Sequence, residues 1–159
     1  MGESTTIVRK EYGFALILII IVLVAGILAI QQRLTGLKQY QVGEERVTLE
    51  VANTSETRQK GLSGRDAMGD ADGMIFIFNT PGRHGIWMKD VRFPIDIIWV
   101  GSEKVIDIAP NVAPPEPGTL DDDLDRYYPR LDANRVIELP AGWAEEHGLK
   151  IGDLVARVR

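Results

Sequence analysis

The stretch Ile95-Asp96-Ile97-Ile98-Trp99-Val100, then Gly101-Ser102-Glu103, then Lys104-Val105-Ile106-Asp107-Ile108 decides the fold class. Two short runs rich in β-branched and aromatic residues, joined by turn-forming positions, are the pattern of an antiparallel hairpin. Working outward, similar runs recur at Val47-Thr48-Leu49-Glu50-Val51, Met74-Ile75-Phe76-Ile77-Phe78, Gly85-Ile86-Trp87-Met88, Arg135-Val136-Ile137-Glu138-Leu139 and Leu154-Val155-Ala156-Arg157-Val158. Turn residues separate them. Only two stretches read as helix. Thr54 or Ser55 can cap one that runs to about Lys60 and stops at Gly61; Ala141 to His147 forms the other, stopped at Gly148. Seven short strands and two short helices predict a mainly β domain, a compact sandwich or barrel.

Ahead of that domain the composition changes. From Phe14 to Ile30 every residue except Gly26 is apolar, and the 21 residues 12–32 carry no charge between Glu11 and Arg33. As a helix they would be about 31 Å long, the thickness of the hydrocarbon layer. The run Leu16-Ile17-Leu18-Ile19-Ile20-Ile21-Val22-Leu23-Val24 is apolar on every helical face, whereas a buried core helix shows a polar stripe. Residues 12–32 are therefore expected to be a transmembrane anchor, preceded by a short tail over 1–11. A cleaved signal peptide is the weaker reading, because Ile27 stands where a small residue is wanted before a cut at Ala29. The flanking pairs Arg9-Lys10 and Arg33, Lys38 nearly balance, so the positive-inside rule is almost silent. A short tail before an apolar helix behaves as a signal anchor, which places the following domain outside the cytoplasm. Residues 33–45 are polar, with Gly36 and Gly43, and read as a juxtamembrane linker. The soluble domain is expected over 46–159.

Charge divides the chain in the same way. Residues 1–42 sum to +2 and residues 43–159 to −7. An acidic domain is repelled by phosphate backbones, so nucleic acid is not an expected partner; the bilayer, a small ligand or an envelope protein are. The absence of cysteine removes disulfides, thiolate metal sites, cysteine nucleophiles and a lipid-bearing cysteine together.

Five ordered blocks carry a resemblance. They are Gly61-Leu62-Ser63-Gly64-Arg65; Asp72-Gly73-Met74-Ile75-Phe76-Ile77-Phe78; Trp87-Met88-Lys89; Pro94-Ile95-Asp96-Ile97-Ile98; and Val136-Ile137-Glu138-Leu139-Pro140-Ala141-Gly142 with Gly148-Leu149-Lys150-Ile151-Gly152-Asp153. Together they resemble the prokaryotic domain of unknown function 192 family, also called uncharacterised protein family 0127, over essentially all of residues 46–158. The resemblance implies a small, mainly β domain, often behind a signal sequence or membrane anchor, and it implies no activity. Ser63 stands where the family usually has Met, Ile86 where it has an aromatic, and the acidic stretch from Pro114 to Asp123 is longer than usual.

Within these blocks a few residues suit chemistry. His84, Trp87, Lys89 and Asp90 fall within seven positions. If the segment is extended, Trp87 and Lys89 share a face, with Trp87 as a stacking platform and Lys89 holding an anion. The bland alternative makes Trp87 a core aromatic and Lys89 a solvated end. Asp96 sits among bulky apolar residues, where a carboxylate must be paired with a cation or hydrogen-bonded to backbone. Arg65, Lys89 and Arg92 are the available cations. Glu138, in Val136-Ile137-Glu138-Leu139, invites the same reasoning, and two such acids facing one cavity would form an acid and base pair.

Most catalytic templates fail. His84 and His147 are the only histidines, Gly61-Leu62-Ser63-Gly64-Arg65 lacks the second glycine of a nucleophile elbow, and there is no glycine-rich phosphate loop. Asp121-Asp122-Asp123-Leu124-Asp125 with Asp132 imitates a calcium loop, but Arg126 stands where glycine is needed and Pro129 interrupts it. No metal and no cofactor are expected. The segment from Ile137 to Asp153 also resembles the swapped-hairpin module of some DNA-binding regulators, which Glu145, Glu146 and the acidic domain argue against. Two readings remain. One is a membrane-anchored binding or accessory module for a small ligand or envelope protein, using Arg65, His84, Trp87, Lys89, Asp96 and Glu138. The other is an envelope hydrolase with Asp96 or Glu138 as its acid or base.

Overall fold

The computed structural model describes residues 15–27 and 36–158, which belong to two units divided after Gly36. In the first, residues 15–27 form helix α1, whose apolar side chains, such as Leu16, Ile20 and Val24, are exposed. Thirteen residues span about 20 Å. Among the described residues no helix is long and apolar enough to cross a membrane. The rest of the expected 12–32 span, residues 12–14 and 28–32, lies outside the described residues.

The second unit is mainly β and begins earlier than the composition suggests. Leu37–Val42 form strand β1, which pairs antiparallel with β2, Glu45–Ala52. The linker expected over 33–45 is thereby corrected from Leu37 onward. Tyr40 and Val42 are buried while Gln39 and Gln41 alternate with them and Lys38 precedes them on the same face, and that half-polar pattern hid the strand. Helix α2, Ser55–Lys60, follows where expected: Thr54 and Thr57 close a reciprocal capping box, and Gly61 ends the helix at φ +47°. Then come β3 (Gly73–Gly82), β4 (Ile86–Trp87), β5 (Ile95–Gly101), β6 (Lys104–Val112), β7 (Arg126–Tyr127), β8 (Ala133–Pro140), helix α3 (Trp143–Glu146) and β9 (Val155–Arg157).

Seven strands form one sheet in the order β6-β5-β8-β3-β2-β1-β9, antiparallel except for the β2–β3 pair that α2 bridges. The β5–β6 hairpin turns at Ser102 and Glu103, both at positive φ (51° and 62°), the primed-turn geometry that suits twisted strands. The sheet curls until its ends approach: Val155 N–H donates to the Glu103 carbonyl (2.7 Å) and Val105 N–H to that of Asp153 (2.9 Å). A single curled sheet, not two stacked ones, resolves the choice between sandwich and barrel toward a half-barrel. A separate two-stranded ribbon pairs β4 with β7.

Period-two alternation gives the sheet two apolar faces. The inner one gathers Leu49, Ile75, Ile98, Ile137, Leu139 and Val155, from strands all round the curl. The outer one, with Met74, Phe76, Ile95, Ile97, Trp99 and Val136, is covered by the segments around Leu62, Ile86, Met88 and Val91. The candidate site lies under that cover.

Candidate functional site

In β8, Ile137 and Leu139 point to the inner face, so Val136 and Glu138 point outward. Glu138 stands opposite Met74 of β3 and Ile97 of β5. Close approach here depends on Gly73: a Cβ at that position would fall 2.3 Å from the Glu138 carbonyl oxygen. Two segments roof the position. Gly61 lies against the Phe76 ring and buries Leu62 behind it. Ser63 Oγ then donates to the Lys89 carbonyl (2.7 Å) and Gly64 N–H to that of Asp90 (2.8 Å), which fastens the two segments to each other.

Between roof and sheet is a cavity of about 250 Å³, walled by Phe76, Phe78 and Trp87, with Arg58 and Lys60 contributed by α2 and Glu138 by the sheet. Among the described residues, the buried Glu138 Oε2 has no hydrogen-bond partner. Burial pushes the Glu138 carboxyl up to about 8, and the charge of Arg65 draws it back only in part. Arg65 is itself engaged, with its guanidinium bidentate to Glu50 at 2.8 and 3.0 Å.

The other expected residues divide. Trp87 lines this cavity, and Arg126 lies 4.2 Å over its ring centroid. His84 stacks on the wall residue Phe78, with centroids 3.6 Å apart and planes within 8°, and a ring nitrogen bonds the Thr80 carbonyl. Lys89 lines a separate hollow of about 570 Å³ with Arg92, Glu116 and Asp121, although its ammonium lies 5.6 Å from the Trp87 ring centroid. Its ion pair with Asp121 raises its ionisation above the usual lysine range. The shared Trp87–Lys89 pocket expected from an extended segment is thus corrected. Strand β4 ends at Trp87 and the chain turns through Asp90 (φ 55°), so alternation stops before Lys89.

Asp96 is placed differently. It is fully buried on the inner face, where its carboxylate accepts the backbone N–H groups of Asn111 (2.8 Å), Gly142 (3.0 Å) and Ala144 (2.8 Å). It thereby ties β5 to the end of β6 and to the start of α3. The expected cations are spent elsewhere, Arg65 on Glu50, Lys89 on Asp121 and Arg92 on Asp66. Asp96 and Glu138 occupy opposite faces of the sheet, which removes Asp96 as a ligand-binding residue and the two acids as a catalytic pair.

Sequence reasoning passed over Arg58, Phe76 and Phe78. The alternate spacing of the two phenylalanines in one strand was the available signal, but it gave no face. It also passed over Asp107, which Arg130 holds through Nη2 (2.7 Å) and Nε (3.0 Å) while the backbone N–H groups of Arg130 and Ile108 bond the same carboxylate. That arrangement keeps Asp107 below the usual carboxylate range.

Residues 37–157 match the profile of the domain of unknown function 192 family, described as an uncharacterized ACR. No curated protein matches the chain. Among solved structures, a Novosphingobium aromaticivorans DSM 12444 protein of unknown function is similar at 33% identity with a TM-score of 0.64, covering 75% of this chain and 84% of that one. A Sinorhizobium meliloti 1021 protein named as a candidate transcription regulator shares the fold at 24% identity and a TM-score of 0.66, over 76% and 92% of the two chains.

Proposed function

The chain belongs to the domain of unknown function 192 family, and from that premise we propose that its folded part is a binding module for a small ligand held in the cavity at Glu138. One observation carries the reading: Glu138, whose buried Oε2 has no hydrogen-bond partner among the described residues, lines an aromatic-walled cavity. Leaving such a group unsatisfied costs about 1–3 kcal/mol, which a ligand that supplies the missing hydrogen bond recovers. Four of the five sequence blocks that define the family resemblance send residues to this cavity: Gly61 to Ser63, Phe76 with Phe78, Trp87, and Glu138.

We further propose that residues 12–32 anchor the module in a membrane with the domain outside the cytoplasm, on the strength of their length, apolarity and lack of charge. The hydrolase reading keeps a narrower basis. A carboxyl held protonated near neutrality has the ionisation of a general acid, but among the described residues no second carboxylate lines the cavity to serve as base or nucleophile.

The test is a thermal-shift screen of the full chain in detergent against small amines, acids and sugars. A ligand that raises the melting temperature of the wild type, and does so at least several-fold less for Trp87→Ala, supports the module. Hits that act equally on both proteins refute the cavity as the site. Extraction of membranes with alkaline carbonate tests the anchor: retention in the pellet is expected, and release into the supernatant contradicts it.

A further inference from the structure

We infer that this cavity takes a small organic monocation, an amine on an apolar or aromatic body, with the Glu138 carboxylate as its counter-charge. The inference rests on the cavity being the binding site proposed above, and it names the ligand class.

What Glu138 lacks is a donor. Two of the neighbouring cations are committed, Arg65 bidentate to Glu50 and Arg58 Nη1 to the Asn53 and Ile77 carbonyls at 2.9 and 3.0 Å, and the third, Lys60, is exposed at the end of α2. An ionised carboxylate only accepts, so the complementary ligand group is an N–H donor with positive charge. The walls suit the same head group. Ring faces attract cations: Phe78 already carries Arg58 at 5.2 Å and the stacked His84, Trp87 carries Arg126 at 4.2 Å, and among the described residues Phe76 has no cation over it.

The charges around Glu138 set the selectivity. Strands β3 and β5 place Met74 and Ile97 opposite it, without charge. Helix α2 supplies Arg58 and Lys60; the roof supplies Arg65, neutralised by Glu50 of β2; His84 sits against Phe78; Lys89 and Arg126 flank Trp87. Inside the cavity the counter-charge is Glu138, and the surrounding rim is positive. A second ammonium on the ligand would meet Arg58 and Lys60, so monoamines are favoured over polyamines.

Protons balance simply. Below about pH 8 Glu138 alone is a neutral carboxylic acid; the ammonium arrives already charged; Glu138 releases its proton to solvent as the ion pair forms. Affinity therefore rises by roughly tenfold per pH unit and levels off above about pH 8, where the acid is already ionised.

The experiment is titration calorimetry of the full chain in detergent with benzylamine, benzyl alcohol and benzoate, at pH 7 in two buffers of different ionisation heat, with the Trp87 indole resonance followed in parallel. Benzylamine should bind best of the three, release about 0.9 proton per site, shift the Trp87 signal, and lose roughly tenfold or more in affinity with Glu138→Gln. Benzyl alcohol or benzoate binding as well as the amine at Trp87, with Glu138→Gln unaffected, overturns the cation and leaves the cavity as the site. If none of the three moves the Trp87 signal at millimolar concentration, the cavity reading falls with it. A Glu138→Gln chain that melts within a few degrees of wild type shows that lost binding is not lost folding.

Discussion

Asp96 and Glu138 occupy neighbouring strands of the same sheet, one residue out of register and on opposite faces, and both are almost wholly shielded from water. Asp96 has its charge spread over three backbone N–H donors. Glu138 has an oxygen with none. Sequence context is nearly identical, a carboxylate between bulky aliphatics, and the outcome is opposite: one acid builds the fold and the other waits for a partner. Burial of a carboxylate alone therefore says nothing of function; what matters is whether the protein itself satisfies it.

Removing each acid sharpens that contrast. Asp96→Ala leaves three backbone N–H groups unpaired, that of Ala144 buried and those of Asn111 and Gly142 partly so, and should destabilise the domain by about 3–5 kcal/mol, read from chemical denaturation. A cost under about 1 kcal/mol would break the comparison. Gly73→Ala drives a methyl into the Glu138 carbonyl oxygen and the Leu139 side chain and should cost about 2–4 kcal/mol.

Glu138→Gln should be near neutral below about pH 4.5 and progressively stabilising relative to wild type as the pH rises above it. The sign follows from linkage. The folded-state value of about 8 lies above the ordinary 4.5, so the acid's contribution is fully present below about pH 4.5 and is lost as the pH rises through about 8. Over that interval the wild type should lose roughly 1.4 kcal/mol per pH unit relative to Glu138→Gln. Asp107 runs the other way. Its lowered ionisation stabilises the fold above the ordinary value and fades as the pH falls into the acid range, so Asp107→Asn should flatten the acid limb of the stability curve. The smallest effect, about 1 kcal/mol, is expected for Thr54→Ala, which removes the α2 cap while leaving both acids in place.

Much of the fold was legible. The hairpin from Ile95 to Ile108, helix α2 with its Thr54 cap and Gly61 stop, and the β3 and β8 runs all declare themselves through local chemistry. Strand β1 did not, because Gln39 and Gln41 interleave with its buried residues and one of its two neighbours, β9, is far away in the sequence. The site was half legible. Trp87 and Glu138 were named from their residue types, but that they share a cavity depends on β4 and β8 being brought to one side of the sheet. That Asp96 does not join them depends on a one-residue offset between β5 and β8, and strand spacing alone leaves that register free. The irregular register of β5 beside Asp96, with Asn111 at φ 53°, also turns backbone donors toward the carboxylate, something no cation in the sequence announces.

The central claim is that the buried Glu138 carboxyl has an oxygen with no hydrogen-bond partner among the described residues. Carbon-13 NMR of the Glu138 side-chain carboxyl in the full chain, assigned by comparison with Glu138→Gln and followed from pH 4 to 10, tests it most directly. A midpoint near 8, moving down when benzylamine is added, is the result expected. A midpoint near 4.5 that benzylamine leaves in place would show a hydrated or internally paired acid and contradict the account.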